Sequence, residues 1–361
     1  MSPDVAKIEG AGDPVNAGVL QPFSSAASEP IGKLIIQIPC YNEEVALPTT
    51  LSALPREIPG IGKVEWLIVD DGSADRTVDV ARAHGVDHIV SMPRHQGLAG
   101  AFVAGLRACL RAGADIIVNT DADNQYCAED IPRLILPILQ RKAEIVVGAR
   151  PIDEMEHFSP LKKTLQKWGS CFIRLISRTD IPDAPSGFRA MSRDAAMQLN
   201  VFSDYTYTLE TIIQAGQKNM AIVSVPVRVN GELRESRLLK SIPQYVLKSV
   251  FTAVRIFVIY RPLRFFCFLG GVIFSAGFLV GVRFLVFYLK GEGGGHVQSL
   301  ILASLLMGMG FQVVVLGVLA DLIAVNRKLL EKINWRNQKI EETRSSFSDQ
   351  GREPAEHAKK E

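Results

Sequence analysis

At 361 residues the chain has room for one large domain with an appendage or for two domains, and its net charge of +2 is unremarkable. The five cysteines (Cys40, Cys109, Cys127, Cys171 and Cys267) show no CxxC or other ligand spacing, which excludes a disulfide framework or a zinc site and fits reduced cytosolic thiols. The start of the chain has no charged segment followed by an apolar run, so no cleavable signal is expected, and no nucleic-acid partner is expected either.

Residues 1–30, rich in Ala, Gly, Ser and Pro without periodicity, read as a disordered leader, and an ordered domain is expected over residues 31–235. It opens with a strand over 33–39, a continuous apolar run suited to burial on both faces. The run breaks at Pro39-Cys40-Tyr41-Asn42-Glu43-Glu44, and a helix is expected over 45–53. A second strand, 64–69, ends in Asp70-Asp71-Gly72-Ser73, where Ser73 is placed to cap a helix running through 75–81. A short third strand lies at 88–90, followed by a helix over 98–112. The fourth strand, Ile116-Ile117-Val118-Asn119-Thr120, runs straight into Asp121-Ala122-Asp123 and is followed by a helix over 129–140. The fifth, 144–148, ends near Arg150. Strand alternating with helix five times predicts an α/β fold, a mostly parallel sheet that binds ligands off the carboxyl ends of its strands. Asn42-Glu43, Asp70-Asp71, Asp121 with Asp123, and Arg150 all fall at such ends and should converge on one site.

Farther on, a helix over 160–177 sets Leu161, Leu165, Trp168, Phe172 and Leu175 on one side and basic residues largely elsewhere, the pattern of an interfacial helix or of an ordinary surface helix. A turn over 183–189 leads into a strand, then come a helix over 207–217, a strand over 220–229 and a basic amphipathic juxtamembrane helix within 236–262. Between residues 228 and 264 eight Lys/Arg stand against Glu232 and Glu235, a balance suited to anionic lipid headgroups. Two apolar runs follow, 265–288 with only Arg283 charged and 297–325 with only Asp321 charged, and they predict transmembrane helices over 265–288 and 299–325. Arg283 and Asp321 are expected to pair within this hairpin or to snorkel. Arg255, Arg261 and Arg264 precede the first run, and Arg327, Lys328, Lys332 and Arg336 follow the second, against Lys290 alone in the connection. The positive-inside rule then places both termini and the α/β domain in the cytoplasm, on the inner membrane of the cell. Residues 328–361 read as a charged cytoplasmic tail, disordered after Asn337.

A buried strand ending in two aspartates fixes a pair of carboxylates that can hold Mg²⁺ or Mn²⁺ and share the cation with substrate phosphates. Gln125 can add a neutral oxygen ligand, Asp71 and Glu43 can serve a nucleotide, and Arg150 and Arg189 suit bidentate contact with phosphate or a salt bridge to nearby acids. Pro39-x-Tyr41-Asn42-Glu43, Asp70-Asp71-Gly72-Ser73-x-Asp75, Asp121-Ala122-Asp123-x-Gln125, Gly148-x-Arg150 and Ser186-Gly187-Phe188-Arg189 occur in that order. Together they resemble the family 2 glycosyltransferases of GT-A, Rossmann-like fold, in the branch of dolichyl-phosphate mannose synthases and bacterial polyprenyl-phosphate glycosyltransferases. The resemblance covers about residues 33–240. It implies a nucleotide-diphosphate sugar donor, Mg²⁺ or Mn²⁺, inversion at the anomeric carbon and a polyisoprenyl phosphate acceptor at the lipid bilayer.

Carried onto this chain, the resemblance implies that Pro39, Tyr41, Glu43, Asp71, Asp121 and Ala122 hold the nucleotide, and that Asp121, Asp123 and Gln125 organise the metal and diphosphate. Arg150, Ser186, Arg189 and Arg234 would face phosphates, with Asp121, Asp123 and Arg189 carrying catalysis. The branch often has a lysine where this chain reads Arg94-His95-Gln96-Gly97. Glu210 is the candidate base if the acceptor is a sugar hydroxyl. A transferase to a saccharide hydroxyl and a non-catalytic membrane scaffold are the rival readings; the chain has no Gln-x-x-Arg-Trp motif of processive synthases, and its acidic set is intact. The sequence leaves open which sugar, which base, which lipid length and which oligomer.

Overall fold

The structure, a computed structural model, describes residues 31–151, 169–171, 173–174, 177–201, 207–231, 254–255, 257–291 and 293–350. The expected leader, Arg234, most of the helices over 160–177 and 236–262, and residues 351–361 lie outside the described residues.

Seven strands make one sheet: β1 (Ile31–Cys40), β2 (Ile61–Asp70), β3 (His88–Ser91), β4 (Ile116–Asn119), β5 (Ile145–Ala149), β6 (Arg189–Ser192) and β7 (Ile222–Pro226). Their order is β3-β2-β1-β4-β6-β5-β7. All neighbours are parallel except β6, which runs antiparallel between β4 and β5. The apolar runs of β1, β2 and β4 are continuous because both faces are covered. Leu34, Ile36, Ile38 and Val118 pack on one face with Ile131 and Ile135, while Ile35, Leu67, Val69 and Ile117 pack on the other with Phe102 and Leu106. The covering helices are α1 (Leu47–Ala53), α2 (Thr77–Ala83), α3 (Gly97–Arg111), α4 (Ile131–Leu139), α5 (Arg193–Gln198) and α6 (Thr208–Gln217). Short α5 carries no signal strong enough to read beforehand; it starts where Ser192 caps the amide of Ala195.

The antiparallel β6 has a direct consequence for the site. Parallel pairing sets Cys40 beside Asp70 and Gln37 beside Asn119, so the loops after β1, β2 and β4 leave one edge of the sheet. Because β6 begins with Arg189 opposite Asn119, the segment before it, Ser186-Gly187-Phe188, arrives at that same edge.

Two elements differ from expectation near α2 and at the C-terminus. Ser73 does not cap α2: the helix starts four residues later, at Thr77, and the Ser73 hydroxyl accepts instead from the amide of Asn42 (2.9 Å). Asp75 Oδ1 takes the Thr77 amide (3.0 Å). The apolar runs form α7 (Pro262–Leu289) and α8 (Val297–Gln350), and α8 continues well past the expected span and past Asn337. No Gly or Pro interrupts residues 318–350, and Lys, Leu, Glu and Arg there favour helix until Gly351.

The hairpin presents its apolar side chains outward, with Phe268 75% and Ile323 69% exposed, the reverse of a helix in a soluble core. It is closed by small residues. A Cβ on Gly310 would lie 2.6 Å from the Phe274 amide nitrogen, and one on Gly277 would lie 2.8 Å from the Met307 nitrogen. Antiparallel packing also separates the two buried-span charges. Gly270 faces Gly310, which puts Arg283 near the connection and Asp321 near the opposite end, about 30 Å apart at the rise of a helix. Of the two expectations, pairing within the hairpin does not form; Arg283 lies over the Phe287 ring (5.7 Å). Gly310→Ala is therefore expected to weaken the hairpin by about 1–3 kcal/mol through overpacking. Gly308→Ala, which meets nothing within 4 Å, should be neutral or stabilising, and thermal unfolding in detergent distinguishes the two.

Candidate active site

The loops after β1 and β2 are interlocked by side-chain caps on backbone amides. Asn42, at φ 55°, uses its Oδ1 to accept from the Ala74 amide (2.8 Å). Asp75 accepts from the Glu44 amide, and Thr77 Oγ1 from that of Glu43 (2.8 Å). Short polar side chains satisfy the strand-end backbone here, and the result is a rigid rim. Pro39 and Glu43 are buried in it, whereas Tyr41 is 40% exposed.

Asp71 is almost fully buried at the end of β2, and its carboxylate accepts from the amides of Gln96 (2.7 Å) and Gly97 (2.8 Å) at the start of α3. A carboxylate at a helix N-terminus satisfies orphan amides and meets the positive end of the dipole. Its Oδ2 also lies 2.8 Å from His95 Nδ1, and the His95 ring stacks on Tyr41 at 4.0 Å between centroids. Tyr41, Asp71 and His95 thus form a platform with a flat aromatic face beside a carboxylate. In the sequence His95 stood out only as part of Arg94-His95-Gln96-Gly97, the stretch where the resemblance implies a lysine.

The second half of the site is built on Asn119, the last residue of β4 and fully buried. Its amide donates to the Gly187 carbonyl (2.8 Å) and to the Tyr207 hydroxyl (2.9 Å), and its oxygen accepts from Gln37 Nε2 (2.8 Å). Tyr207 stacks on Phe102 (3.9 Å), and the Tyr126 hydroxyl accepts from the Gly187 amide (3.0 Å). Gly187 is thereby pressed against Asp121: a Cβ there would come within 3.0 Å of both carboxylate oxygens. After the pair, Asp123 Oδ1 accepts from the Gln125 amide (3.1 Å), and the Gln125 carbonyl accepts from that of Asn230 (2.8 Å). Ala122 is buried with its carbonyl accepting from Thr50 Oγ1 (2.7 Å).

Burial first, and the Asp123 charge second, push the Asp121 carboxyl up to about 7 against the pull of Arg150 and Arg189. Asp121 is half-buried as a residue, and the Asp123 repulsion is the contribution that a cation would relieve directly. Among the described residues no group of three or more His, Cys, Asp or Glu side chains gathers at one point. Two carboxylates suit Mg²⁺ or Mn²⁺, which commonly take their other ligands from water and substrate phosphates.

The arginines are more constrained than their sequence context suggests. Arg150 Nε donates to Asp183 Oδ2 (2.7 Å) and its Nη2 to Oδ1 (3.0 Å), a bidentate pair; against burial, the nearby Tyr126 oxygen first and this pair second hold the guanidinium well above its ordinary pKa range. Arg189 is fully buried and donates to the carbonyls of Ser186 and Ala184 (2.8 Å each) and to Thr211 Oγ1. Burial brings it down to about 10, and its charge helps to hold Asp121 ionised. Ser186 is buried in the same loop. Glu210 sits on α6, where it accepts from the Tyr260 hydroxyl (3.1 Å) at the start of the hairpin. Sequence reasoning missed Asn119, Tyr126, Asp183 and Tyr207, because each acts through a partner that the chain supplies from far away.

The family model described as Glycosyl transferase family 2 matches residues 35–199. An undecaprenyl-phosphate mannosyltransferase of Micrococcus luteus is 31% identical over 217 residues, 57% of this chain and 87% of that protein. A UDP-N-acetylglucosamine–dolichyl-phosphate N-acetylglucosaminyltransferase of Methanococcus voltae is 30% identical over 215 residues, 53% of this chain and 83% of that protein. A solved glucosyl-3-phosphoglycerate synthase of Mycobacterium tuberculosis superposes with a TM-score of 0.49 at 19% identity, over 61% of this chain and 79% of that one. The protein is an enzyme of the glycosyltransferase class. The chain belongs to glycosyl transferase family 2.

With its carboxyl pushed up to about 7, Asp121 would have to give up a proton in acid for a cation to bind between the two carboxylates. Mn²⁺ affinity measured by calorimetry should therefore be level above that pH and fall about tenfold per unit below it. Equal affinity at about pH 6 and about pH 8 would contradict the assignment.

Proposed function

We propose that this chain is an inverting glycosyltransferase of the membrane surface that moves a sugar from a nucleotide-diphosphate sugar to a polyisoprenyl phosphate. The observation that carries the reading is the shared sheet edge: the Asp121 and Asp123 carboxylates at the same edge as an aromatic and carboxylate platform, on a chain that also carries an apolar hairpin. The two relatives described above are named for transfer of mannose to undecaprenyl phosphate and of N-acetylglucosamine to dolichyl phosphate, which supports the same acceptor class here.

In this reading the base stacks on Tyr41 and His95, and the ribose hydroxyls face Asp71 and Glu43, with Pro39 and Ala122 shaping the pocket floor. Asp121 and Asp123, with Gln125, would hold Mg²⁺ or Mn²⁺, which supplies charge neutralisation to the departing diphosphate. Gly187 keeps Asp121 in place, and the Asn119–Tyr207 pair keeps Gly187 in place. Arg150 and Arg189 act as positioning residues that fix the 183–189 segment and bias Asp121 toward its charged form. Ser186 in that segment and Arg234 beyond Gly231 are assigned to phosphates, Arg234 to that of the lipid.

An acceptor phosphate monoester is largely ionised at neutral pH and needs little help from a base. Its oxygen attacks the anomeric carbon as the bond to the nucleoside diphosphate breaks on the opposite face, and the protein's task is to align the two. With Arg255, Arg261, Arg264, Arg327 and Lys328 flanking the apolar helices, the catalytic domain and both termini are assigned to the cytoplasmic face of the cell membrane.

Purified protein with undecaprenyl phosphate, Mn²⁺ and a panel of radiolabelled UDP- and GDP-sugars should place label in the organic phase. EDTA should remove that label, and Asp123→Ala should lower it by more than about a hundredfold. Nucleotide binding without transfer to lipid would sink the reading and favour a hydroxyl acceptor, with Glu210→Gln the next variant to assay. Tyr41→Ala and His95→Ala should each weaken binding of the preferred nucleoside diphosphate about tenfold by loss of stacking, read by calorimetry.

A further inference from the structure

Where the catalytic domain meets the hairpin, the start of α7 and the middle of α8 close against the C-terminal end of α6 around a cavity of about 500 Å³. Four cations line it: Arg178, Arg261, Arg264 and Lys328, with Asp321 as the one acid. Among the described residues none of these cations is in an ion pair. Burial, and then the charges of Arg264 and Arg178, press the Arg261 guanidinium below its ordinary range. The side-chain amide nitrogen of Gln217, in the same wall, is buried and donates to nothing. A buried donor without an acceptor and four cations set against one acid, Asp321, are both costly, and one anion answers both.

The backbone is arranged to keep this cavity lined. Arg178 and Asn219 both sit at positive φ (59° and 53°), conformations that non-glycine residues adopt at some cost. Gly216 lets α6 approach the 177–179 segment so closely that a Cβ would lie 1.9 Å from the Ser177 carbonyl oxygen. That approach carries Arg178 to the cavity. Arg261 and Arg264 stand where α7 becomes apolar, and Lys328 follows the apolar part of α8, so the cavity opens at headgroup depth. Its volume falls in the usual range of small-ligand sites, about 300–1,000 Å³. Gln217 and Thr208 lie at opposite ends of α6, about 14 Å apart by helical rise, which separates the cavity from the Tyr207 side facing Asp121.

We propose that this cavity is a headgroup site for an anionic phospholipid, distinct from the sugar-transfer site, which fastens the catalytic domain to the membrane at a fixed height. The phosphate sits among Arg178, Arg261, Arg264 and Lys328, on the side of the cavity away from the charge of Asp321, and accepts from Gln217. The proposal depends on the hairpin lying in a bilayer but not on the transfer reaction.

The test is a native mass-spectrometric titration of the full-length protein in neutral detergent with phosphatidylglycerol and, separately, with phosphatidylcholine. Phosphatidylglycerol should bind at one site and phosphatidylcholine should not. Arg178→Gln and Arg261→Gln should each weaken phosphatidylglycerol about fivefold, and Asp321→Asn should tighten it by a similar factor, since one charge near a lipid surface is worth about that much. The opposite sign at Asp321 cannot come from a folding defect, and unfolding midpoints in detergent alone identify any variant that has lost its fold. Asp123→Ala should retain lipid binding, which keeps this proposal separable from the catalytic one. Equal binding of the two lipids or indifference to all three cavity substitutions would overturn the proposal. Displacement of the lipid by inorganic phosphate alone would assign the cavity to a free anion, and stoichiometric displacement by undecaprenyl phosphate would make it part of the acceptor path; either result overturns it as well.

Discussion

The buried amide of Asn119 is the interaction on which the catalytic edge depends. It joins β1 through Gln37, the segment before β6 through the Gly187 carbonyl, and α6 through the Tyr207 hydroxyl. A buried polar group of this kind is stabilising only when all its bonds are made, so the three partners hold one another in register. The consequence is chemical. Gly187 is fixed against Asp121, and the Asp121 carboxyl is held where burial and Asp123 raise its proton affinity.

Around that anchor the charges fall into two sets with different roles. Asp121 and Asp123 are close and mutually repelling, an arrangement suited to a divalent cation. Arg150 and Arg189 are already bonded within the 183–189 segment, where burial makes each bond hard to give up. The site therefore combines a rigid frame with one unmet electrostatic demand. The junction cavity repeats this pattern with the sign reversed: cations held by packing, and a buried amide without an acceptor.

The hairpin is tied to the domain through several contacts. Tyr260 donates to Glu210, Arg327 lies over the Tyr260 ring at 4.5 Å, and Lys218 pairs with Glu331 at 3.2 Å. These contacts span from α6, beside the catalytic edge, to the part of α8 that follows its apolar stretch. The hairpin and the catalytic sheet edge are thus parts of one connected body.

The strands were legible in the sequence because strands covered on both faces must be continuously apolar. Their polar ends were legible because parallel connections force ligands to one edge. The two apolar spans were legible from length alone. Only the tertiary structure decided the rest. Antiparallel insertion of β6, which brings Ser186 and Gly187 to Asp121, depends on pairing across 70 residues between Asn119 and Arg189 and leaves no local pattern. The same holds for the Asp183 partner of Arg150, for His95 on Tyr41, and for the separation of Arg283 from Asp321. A sequence determines what each segment must bury, because burial acts on every residue where it stands. Which polar groups then meet is set by how the buried faces stack, and that is a property of the assembled chain.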